Sequence, residues 1–222
     1  MLINSIYETV NILLNKDQRG KISPFEFNRI IQQSQRKITS ELLNEYKKGV
    51  LRKIRFNHGS GLADHTYYTI QAIEYYLTSK NIQNLPTTFT LSDDVWFVNE
   101  IYNADSFIEK VTNSQFNQLK RSARMQPNGC MPIFTLEGQS IKFFPNQSKI
   151  ELIYLRKPFE PKWTYTMVDD VPLFNPDAND FRDLDVHYDL ITPILIEVVQ
   201  LCGLNLRVFK ATSYRANKEL LS

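Results

Sequence analysis

Three histidines have the widest chemical use of any side chains in this sequence: His58, His65 and His187. The spacing of His58 and His65 would place both on one face of a helix, but Gly59 and Gly61 argue against a continuous helix there. A zinc site also needs further ligands nearby, and neither of the two cysteines stands at a ligand-like spacing. We therefore expect histidines at the surface or at helix caps, and neither a metal nor another cofactor.

A second candidate is the acidic stretch DANDFRDLD, residues 177–185, in which oxygen ligands alternate as they do at the start of a calcium loop. The mid-loop glycine and the terminal bidentate glutamate of such a loop are missing, so we expect no calcium ion. We interpret the stretch as a solvated or interfacial loop, while a degenerate enzymatic metal site near residues 177–187 stays open as an alternative. The candidate inter-subunit contacts are its four carboxylates, Asp177, Asp180, Asp183 and Asp185.

Motifs of common catalytic sites are absent from the sequence. It holds no GxxxxGK[ST] or GxGxxG phosphate loop and no GxSxG nucleophile elbow. The paired acids Asp93-Asp94 and Asp169-Asp170 are neighbours along the chain, so their side chains diverge, and we interpret them as turn residues. We therefore predict that the protein is not an enzyme.

A basic cluster in the N-terminal region keeps a functional interpretation. Its side chains could contact phosphates or line an electropositive channel. Few aromatic residues interleave with them, so base stacking is not indicated. The alternatives are a solvated helix end, where cations also suit the helix dipole, and a contact between subunits. The cluster comprises Lys47, Lys48, Arg52, Lys53 and Arg55 within the basic segment 47–58.

The net charge of +2 conceals a separation of charge along the chain. Residues 16–58 hold eleven Lys and Arg against four Asp and Glu, a local net charge of +7. Residues 160–189 hold eight Asp and Glu against two Lys and Arg, a local net charge of −6. This asymmetry is typical of a polyanion-binding protein, of a simply solvated surface, or of copies that meet head to tail, which generates a ring when the rotation closes.

Helical patterns dominate the first 80 residues. Apolar residues at helical spacing predict a first helix over residues 2–15, and Gly20 suits the turn that follows it. Ser23 is a good N-cap, Pro24 suits the first helical position, and Glu26 completes a capping box. A second, long helix should therefore begin at this point.

We expect the second helix to end near Lys48, followed by a basic connection over residues 49–61 and a third helix over residues 64–79. The middle of the chain then changes to β-branched and aromatic runs bounded by turn residues. The expected elements there are the strands TFTLS, VWFVNEIYN and FIEKVT, a short helix over residues 113–123, and an antiparallel meander of three strands over residues 132–158.

The segment after the meander is acidic and proline-punctuated, so we expect a long surface loop or arm. Two helices, residues 185–202 and 205–221, should close the chain. The predicted fold class is α+β, a helical bundle of N-terminal and C-terminal helices with a small antiparallel sheet inserted in the middle. The expected division is a helical region over residues 1–80, a β region with one short helix over residues 85–158, an acidic arm over residues 159–184 and C-terminal helices over residues 185–222.

The segment NKDQRGKISPFEFNRIIQQSQRKI, residues 15–38, resembles the N-terminal signature of structural proteins of crAss-like bacteriophages. In that family a turn ending in Q-R-G-K precedes [IV]-[ST]-P-x-E-F-N and a helix carrying A-Q or S-Q. The strand-rich run over residues 132–158 looks like the sheet portion of that family and is similar to ring-forming head-to-tail connector proteins of short-tailed phages. The matching signature residues are Gln18, Arg19, Gly20, Lys21, Ile22, Ser23, Pro24, Glu26, Phe27, Asn28, Ser34 and Gln35.

The resemblance implies a virion structural protein, one subunit of a neck or tail ring that connects the portal to the tail and bounds the DNA channel. In connector proteins twelve copies form a ring under the portal. The implied partners are therefore further copies of the chain, the portal protein, neighbouring ring proteins and, without sequence specificity, packaged double-stranded DNA. The alternative is a non-enzymatic nucleic-acid-binding accessory protein of the phage that uses the basic segment 47–58.

The expected location is the virion, after synthesis in the cytoplasm of the bacterial host. The apolar first residues carry neither a basic stretch nor a cleavage site, so we expect no signal peptide. No run of about 18 apolar residues occurs, so we expect a soluble protein without a transmembrane helix. We also expect no small-molecule substrate.

Overall fold

A computed structural model describes residues 1–16, 20–55, 70–86, 88–104 and 106–203, with the backbone alone described for residues 49–55. The chain forms two compact units. The first unit joins Met1–Tyr75 to Pro158–Ser222. The second unit, Tyr76–Lys157, is one contiguous segment between those two stretches of the sequence.

Along the described ranges, helices come first, strands with one short helix among them follow, and a helix comes last. The helices are α1 (Leu2–Lys16), α2 (Pro24–Arg55), α3 (residues 70–74), α4 (Asn113–Arg121) and α5 (Ile191–Leu201), with a 3-10 turn at Tyr188–Leu190 before α5. The strands are β1 (Leu77–Gln83), β2 (Thr88–Thr90), β3 (Val95–Tyr102), β4 (Glu109–Lys110), β5 (Ile133–Glu137), β6 (Ser140–Phe144), β7 (Lys149–Arg156), β8 (Tyr165–Val168) and β9 (Val171–Phe174).

The helices of the first unit pack together because each presents apolar side chains at helical spacing. Burying one such side chain stabilises the fold by about 1.5–3 kcal/mol relative to leaving it exposed. α5 contacts both α1 and α2 through these faces. The buried apolar residues are Ile3, Ile6, Val10 and Leu14 of α1, Phe27, Ile31, Leu42 and Leu43 of α2, and Ile194, Val198 and Val199 of α5.

Helix α2 begins at Pro24, as its capping sequence predicts, but it passes the end predicted near Lys48 and continues to Arg55. Gly49 lies inside the helix, where glycine costs only about 1 kcal/mol relative to alanine and does not by itself stop a helix. The connection predicted over residues 49–61 is therefore helical as far as Arg55, and residues 56–69 lie outside the described residues. The third predicted helix is wrong at its C-terminal end, because β1 begins at Leu77.

The second unit contains two sheets. In one, β7 lies between β1 and β3 and pairs antiparallel with both. In the other the order is β2-β6-β5-β4, and the short β4 pairs parallel with β5. Side chains alternate along each strand, so each sheet turns one apolar face toward a shared core. That core comprises Val98, Ile101, Ile108, Phe134, Ile141, Phe143, Ile150, Leu152 and Tyr154.

The predicted fold class, an α+β helical bundle with one small antiparallel sheet, is wrong. Over the described residues, nine strands form three sheets, one of them partly parallel. The helices other than α2 are short, with 15, 9 and 11 residues in α1, α4 and α5. The structure is therefore a mixed fold with a β-rich second unit.

The predicted three-stranded meander is also wrong. β5 and β6 form an antiparallel hairpin, but β7 leaves it and pairs with β1 and β3 instead. The strand patterns identify which residues are extended, whereas the pairing depends on β1, whose sequence LTSKNIQ carries few apolar residues and resembles a helix end. Because β1 was not predicted, the prediction paired β7 with the β5–β6 hairpin instead.

The segment expected to be a loop or arm, residues 159–184, contains the hairpin β8–β9 and the buried residue Trp163. The first of the two predicted C-terminal helices corresponds to the 3-10 turn and α5. The second, predicted over residues 205–221, lies outside the described residues.

Candidate functional site

Gly20, Lys21 and Ile22 precede a capping box at the start of α2. The Ser23 hydroxyl accepts a hydrogen bond from the Glu26 amide (3.3 Å) and donates to the Glu26 carboxylate (2.8 Å), which also accepts from the Ser23 amide (3.3 Å). Pro24 opens the helix, and Gly20 has a φ of +85°, a conformation that glycine adopts without strain. Arg19 lies outside the described residues. The predicted local role of Ser23, Pro24 and Glu26 is confirmed.

Downstream of the cap, three side-chain amides of α2 hold an extended segment of the chain against the helix. Each amide NH₂ donates to a backbone carbonyl, and the three carbonyls belong to every second residue of the segment. The hydrogen bonds run from Asn28 to Trp163 (2.9 Å), from Gln32 to Pro161 (3.0 Å) and from Gln35 to Phe159 (2.6 Å). We call this set the amide ladder.

The spacing of the amide ladder follows from the geometry of its two elements. Seven helical residues, from position 28 to position 35, rise about 10.5 Å. Four extended residues, from 163 back to 159, span about 13 Å, so flexible amide side chains can bridge the small difference. At one end of the ladder, Asn28 also accepts a hydrogen bond from the Trp163 backbone amide (2.7 Å), so these two residues exchange two hydrogen bonds.

An aromatic cluster surrounds Trp163, whose side chain is 1% exposed. Its indole stacks on Tyr7 with ring centroids 4.0 Å apart, and on Tyr165 and Phe174 at 5.7 and 6.0 Å. The indole N–H donates to the Asn4 side-chain oxygen at 3.0 Å, so the polar atom of the buried ring is paired. The cluster thereby anchors the base of the β8–β9 hairpin to α1.

Two of the four predicted acidic contact residues, Asp183 and Asp185, bind backbone amides within the chain. Asp183 accepts hydrogen bonds from the amides of Leu2 (3.0 Å) and Ile3 (2.8 Å), so its carboxylate stabilises the N-terminus of α1. Asp185 is buried and accepts from the Phe159 amide (2.8 Å) and the Tyr75 hydroxyl (3.1 Å). Their observed contacts are intramolecular.

The other two acidic residues are exposed. Asp180 pairs with Lys162, and that hydrogen bond holds the pKa of the Asp180 carboxyl below its usual value. The Asp177 side chain is exposed, and its backbone amide donates to Asn175 at 3.1 Å. Asp177 thus presents an exposed carboxylate to an intermolecular contact.

The predicted basic cluster lies along the last turns of α2. Lys48 is exposed, and Lys47 is partly buried. The helix reaches Arg55, so positions 48, 52 and 55 follow the four- and three-residue spacing of one helix face. For Arg52, Lys53 and Arg55 the backbone alone is described.

Sequence reasoning missed an ion pair that joins α2 to α5. The Lys37 ammonium lies 2.9 and 2.8 Å from the two carboxylate oxygens of Glu197, and the hydrogen bond to Glu197 raises the pKa of Lys37. The Glu197 side chain is only 10% exposed. Glu197 stands inside an otherwise apolar helix sequence, ITPILIEVVQL, and a lone acid in such a run is the signal that could have predicted a buried partner.

The second feature that sequence reasoning missed is an exposed apolar surface on the β8–β9 hairpin. We call it the hairpin surface: Val168, Asp169, Asp170, Val171 and Leu173. Its three large apolar side chains lie on one face of the hairpin and are between 46% and 49% exposed. The signal in the sequence is the pair Asp169-Asp170 between two short runs rich in apolar residues, because Asp tolerates the positive φ angles that a two-residue hairpin turn requires.

Over the described ranges, no group of three or more His, Cys, Asp and Glu residues is placed to hold a metal ion, and no helix there is long and apolar enough to cross a membrane. His187 caps the 3-10 turn, where its ring accepts from the Asp189 amide at 3.4 Å, while His58 and His65 lie outside the described residues. The described residues make packing and capping contacts, and some of their apolar and charged side chains are exposed.

The sequence matches no protein-family model and no curated protein.

Proposed function

We propose that this chain is a virion structural protein, a subunit of an oligomeric ring in the neck or tail of a bacteriophage. The ring would connect the portal to the tail and bound the channel through which DNA passes. The observation that carries the proposal is the signature over residues 15–38, which resembles that of crAss-like phage structural proteins. Assembly on an adjacent ring, and not chemistry, is the proposed activity.

The contacts of the signature residues support this proposal. Ser23 and Glu26 cap α2, Phe27 is buried, and Asn28 and Gln35 belong to the amide ladder. Each of these side chains therefore has a structural task within the first unit. A signature made of structural residues fits ring subunits, because every copy in a symmetric ring must adopt the same fold.

The distribution of charge supports the proposal as well. A basic N-terminal region and an acidic segment over residues 160–189 in one chain suit copies that meet head to tail, because unlike surfaces then face each other around the ring. Exposed apolar side chains such as those of the hairpin surface supply the desolvated contacts that a lateral interface needs.

A second candidate function is binding of nucleic acid by the segment 47–58 in a phage accessory protein. One observation favours it: α2 continues to Arg55, so its cationic positions 48, 52 and 55 follow the spacing of a helix face. Tight, salt-sensitive binding of DNA by the free monomer, abolished when Lys47, Lys48, Arg52, Lys53 and Arg55 are neutralised, is the result that this candidate predicts.

Quantitative mass spectrometry of purified phage particles tests the ring proposal. The expected result is that the chain is present in particles at a fixed ratio to the portal protein and stays with the neck and tail after the capsid is disrupted. Its absence from purified particles would overturn the proposal, whereas its behaviour as an isolated monomer would not, since ring proteins often assemble only on a neighbour.

A further inference from the structure

The β8–β9 hairpin is an isolated two-stranded sheet. Its strands pair with each other from Tyr165–Phe174 to Val168–Val171, and within the described residues neither pairs with a third strand. Two-stranded hairpins are marginally stable in water unless another element covers them. Here the base is held by the Trp163 cluster, while the apolar side chains nearer the turn remain exposed.

The turn of the hairpin is acidic. Asp169 and Asp170 have φ angles of 49° and 60° and are both exposed. Val168 and Val171 flank them at the same end of the hairpin. The tip therefore presents two carboxylates next to two half-exposed aliphatic side chains, which together form a small apolar patch with an acidic edge.

The start of α2 presents the complementary combination. Phe25 is 76% exposed, although phenylalanine is usually buried, and Arg29 lies four residues later on the same helix face. Lys21 is exposed three residues before the helix. We call Lys21, Phe25 and Arg29 the α2-start surface. It offers an aromatic side chain with two cations beside it, while the neighbouring Glu26 carboxylate is bound to Ser23.

We propose that the hairpin surface of one copy binds the α2-start surface of a second copy. Both surfaces are exposed on the same chain, so neither covers the other within one molecule. Their charges are opposite, which favours this pairing over that of like surfaces. Two different surfaces meeting in this way make a heterologous contact, which generates a ring when its rotation closes.

This inference rests on the proposed function, because it names the lateral contact of the proposed ring. It also goes beyond it, since it identifies the two surfaces and their chemistry. The basic end of α2 near Arg55 is not involved in this contact, which leaves the segment 47–58 to other partners.

Cysteine cross-linking tests the pairing directly. The background is the chain with Cys130→Ser and Cys202→Ser, and two preparations carry Phe25→Cys and Val168→Cys respectively. Mixing them under mild oxidation, alone and with the portal protein, should produce a disulfide-linked dimer that neither preparation forms by itself. A chain carrying both cysteines should form a ladder of higher oligomers.

Two substitutions with matched controls measure the contribution of each surface. Phe25→Ala should weaken self-association at least tenfold, whereas Ile12→Ala, at a residue 56% exposed on α1, should leave it unchanged. Asp169→Asn with Asp170→Asn keeps a turn that asparagine also tolerates, and it should reduce both the affinity and its dependence on salt, whereas Glu109→Gln, at an exposed carboxylate of β4, should do neither. Circular dichroism confirms that each variant is folded.

The outcomes separate this inference from the proposed function. If copies associate or enter particles but the mixed cysteines do not cross-link, or if Phe25→Cys cross-links by itself, the pairing is wrong and the ring proposal stands. If the wild-type chain neither self-associates at any concentration nor enters particles, both are wrong. A mixed-only cross-link together with the loss caused by Phe25→Ala establishes the pairing.

Discussion

Asn28 and Trp163 exchange two hydrogen bonds: the Asn28 amide donates to the Trp163 carbonyl at 2.9 Å, and its oxygen accepts from the Trp163 backbone N–H at 2.7 Å. The two residues are 135 positions apart, so this single side chain ties the segment after β7 to the second turn of α2. An asparagine is well suited to this task because its side chain carries a donor and an acceptor in the arrangement of a peptide group.

Replacing Asn28 therefore tests the amide ladder. Asn28→Ala removes both hydrogen bonds and leaves the partly buried Trp163 peptide group without them, which should lower the free energy of unfolding by about 1–3 kcal/mol. Gln33→Ala, at an exposed position of the same helix, should change it by no more than about 0.5 kcal/mol. Urea denaturation followed by tryptophan fluorescence measures both, and equal stabilities would refute the assigned role.

A second prediction concerns the start of α1. Asp183→Ala removes the acceptors for the amides of Leu2 and Ile3 and a negative charge at the N-terminus of the helix, and it should destabilise the chain by about 1–2 kcal/mol. Asp177→Ala, which removes an exposed carboxylate in the same acidic stretch, is the matched control and should be nearly neutral. Should the two substitutions cost the same, the carboxylate of Asp183 does not cap α1.

The Lys37–Glu197 pair should respond unequally to the loss of each partner. Lys37→Ala leaves a carboxylate that is 10% exposed without its cation, whereas Glu197→Gln leaves an ammonium that is half exposed to water. The first substitution should therefore lower the denaturation midpoint more than the second. Arg36→Ala breaks the pair with Glu160, in which both side chains are exposed, and should have little effect. The reverse order of Lys37→Ala and Glu197→Gln would contradict this account.

The second unit has its own acid-sensitive contact. Hydrogen bonds from Ser92 and from the Tyr154 hydroxyl, the latter 2.9 Å long, lower the pKa of the Asp94 carboxyl from its usual 3.8. A carboxylate with a lowered pKa stabilises the folded state above its unfolded pKa, and that stability is lost as the pH falls through the lower folded value. As the pH is lowered from about 6 to about 2, the urea midpoint of the wild type should therefore fall more steeply than that of Asp94→Asn. Parallel profiles would rule out this contribution.

The sequence predicted α1 and the start of α2 well because capping and helical periodicity depend on nearby residues. Ser23 and Glu26 form the expected capping box, and the apolar series from Ile3 to Leu14 forms the expected helix. The strands β3, β5 and β6 were also recognisable from their β-branched and aromatic residues. Their pairing was not, because β7 joins partners more than 45 residues away in sequence and one of these, β1, has a mostly polar sequence.

The contacts that define the candidate site were less predictable. Asn28, Gln32 and Gln35 read as ordinary polar positions of a helix, and their function depends on a segment more than 120 residues later. Asp183 and Asp185 read as a solvated acidic stretch for the same reason. Glu197 carried the local signal of a buried acid in an apolar helix. The pair Asp169-Asp170 carried that of a hairpin turn, but the proline-punctuated composition around the pair favoured a loop.

The measurement that tests the central claim most directly is negative-stain imaging, with mass photometry, of the purified chain mixed with the portal protein and the other neck proteins of its phage. We predict closed rings that contain the chain in a fixed number of copies and sit coaxially on the portal. A chain that stays monomeric in this mixture and is also absent from the neck and tail of purified particles would contradict the account.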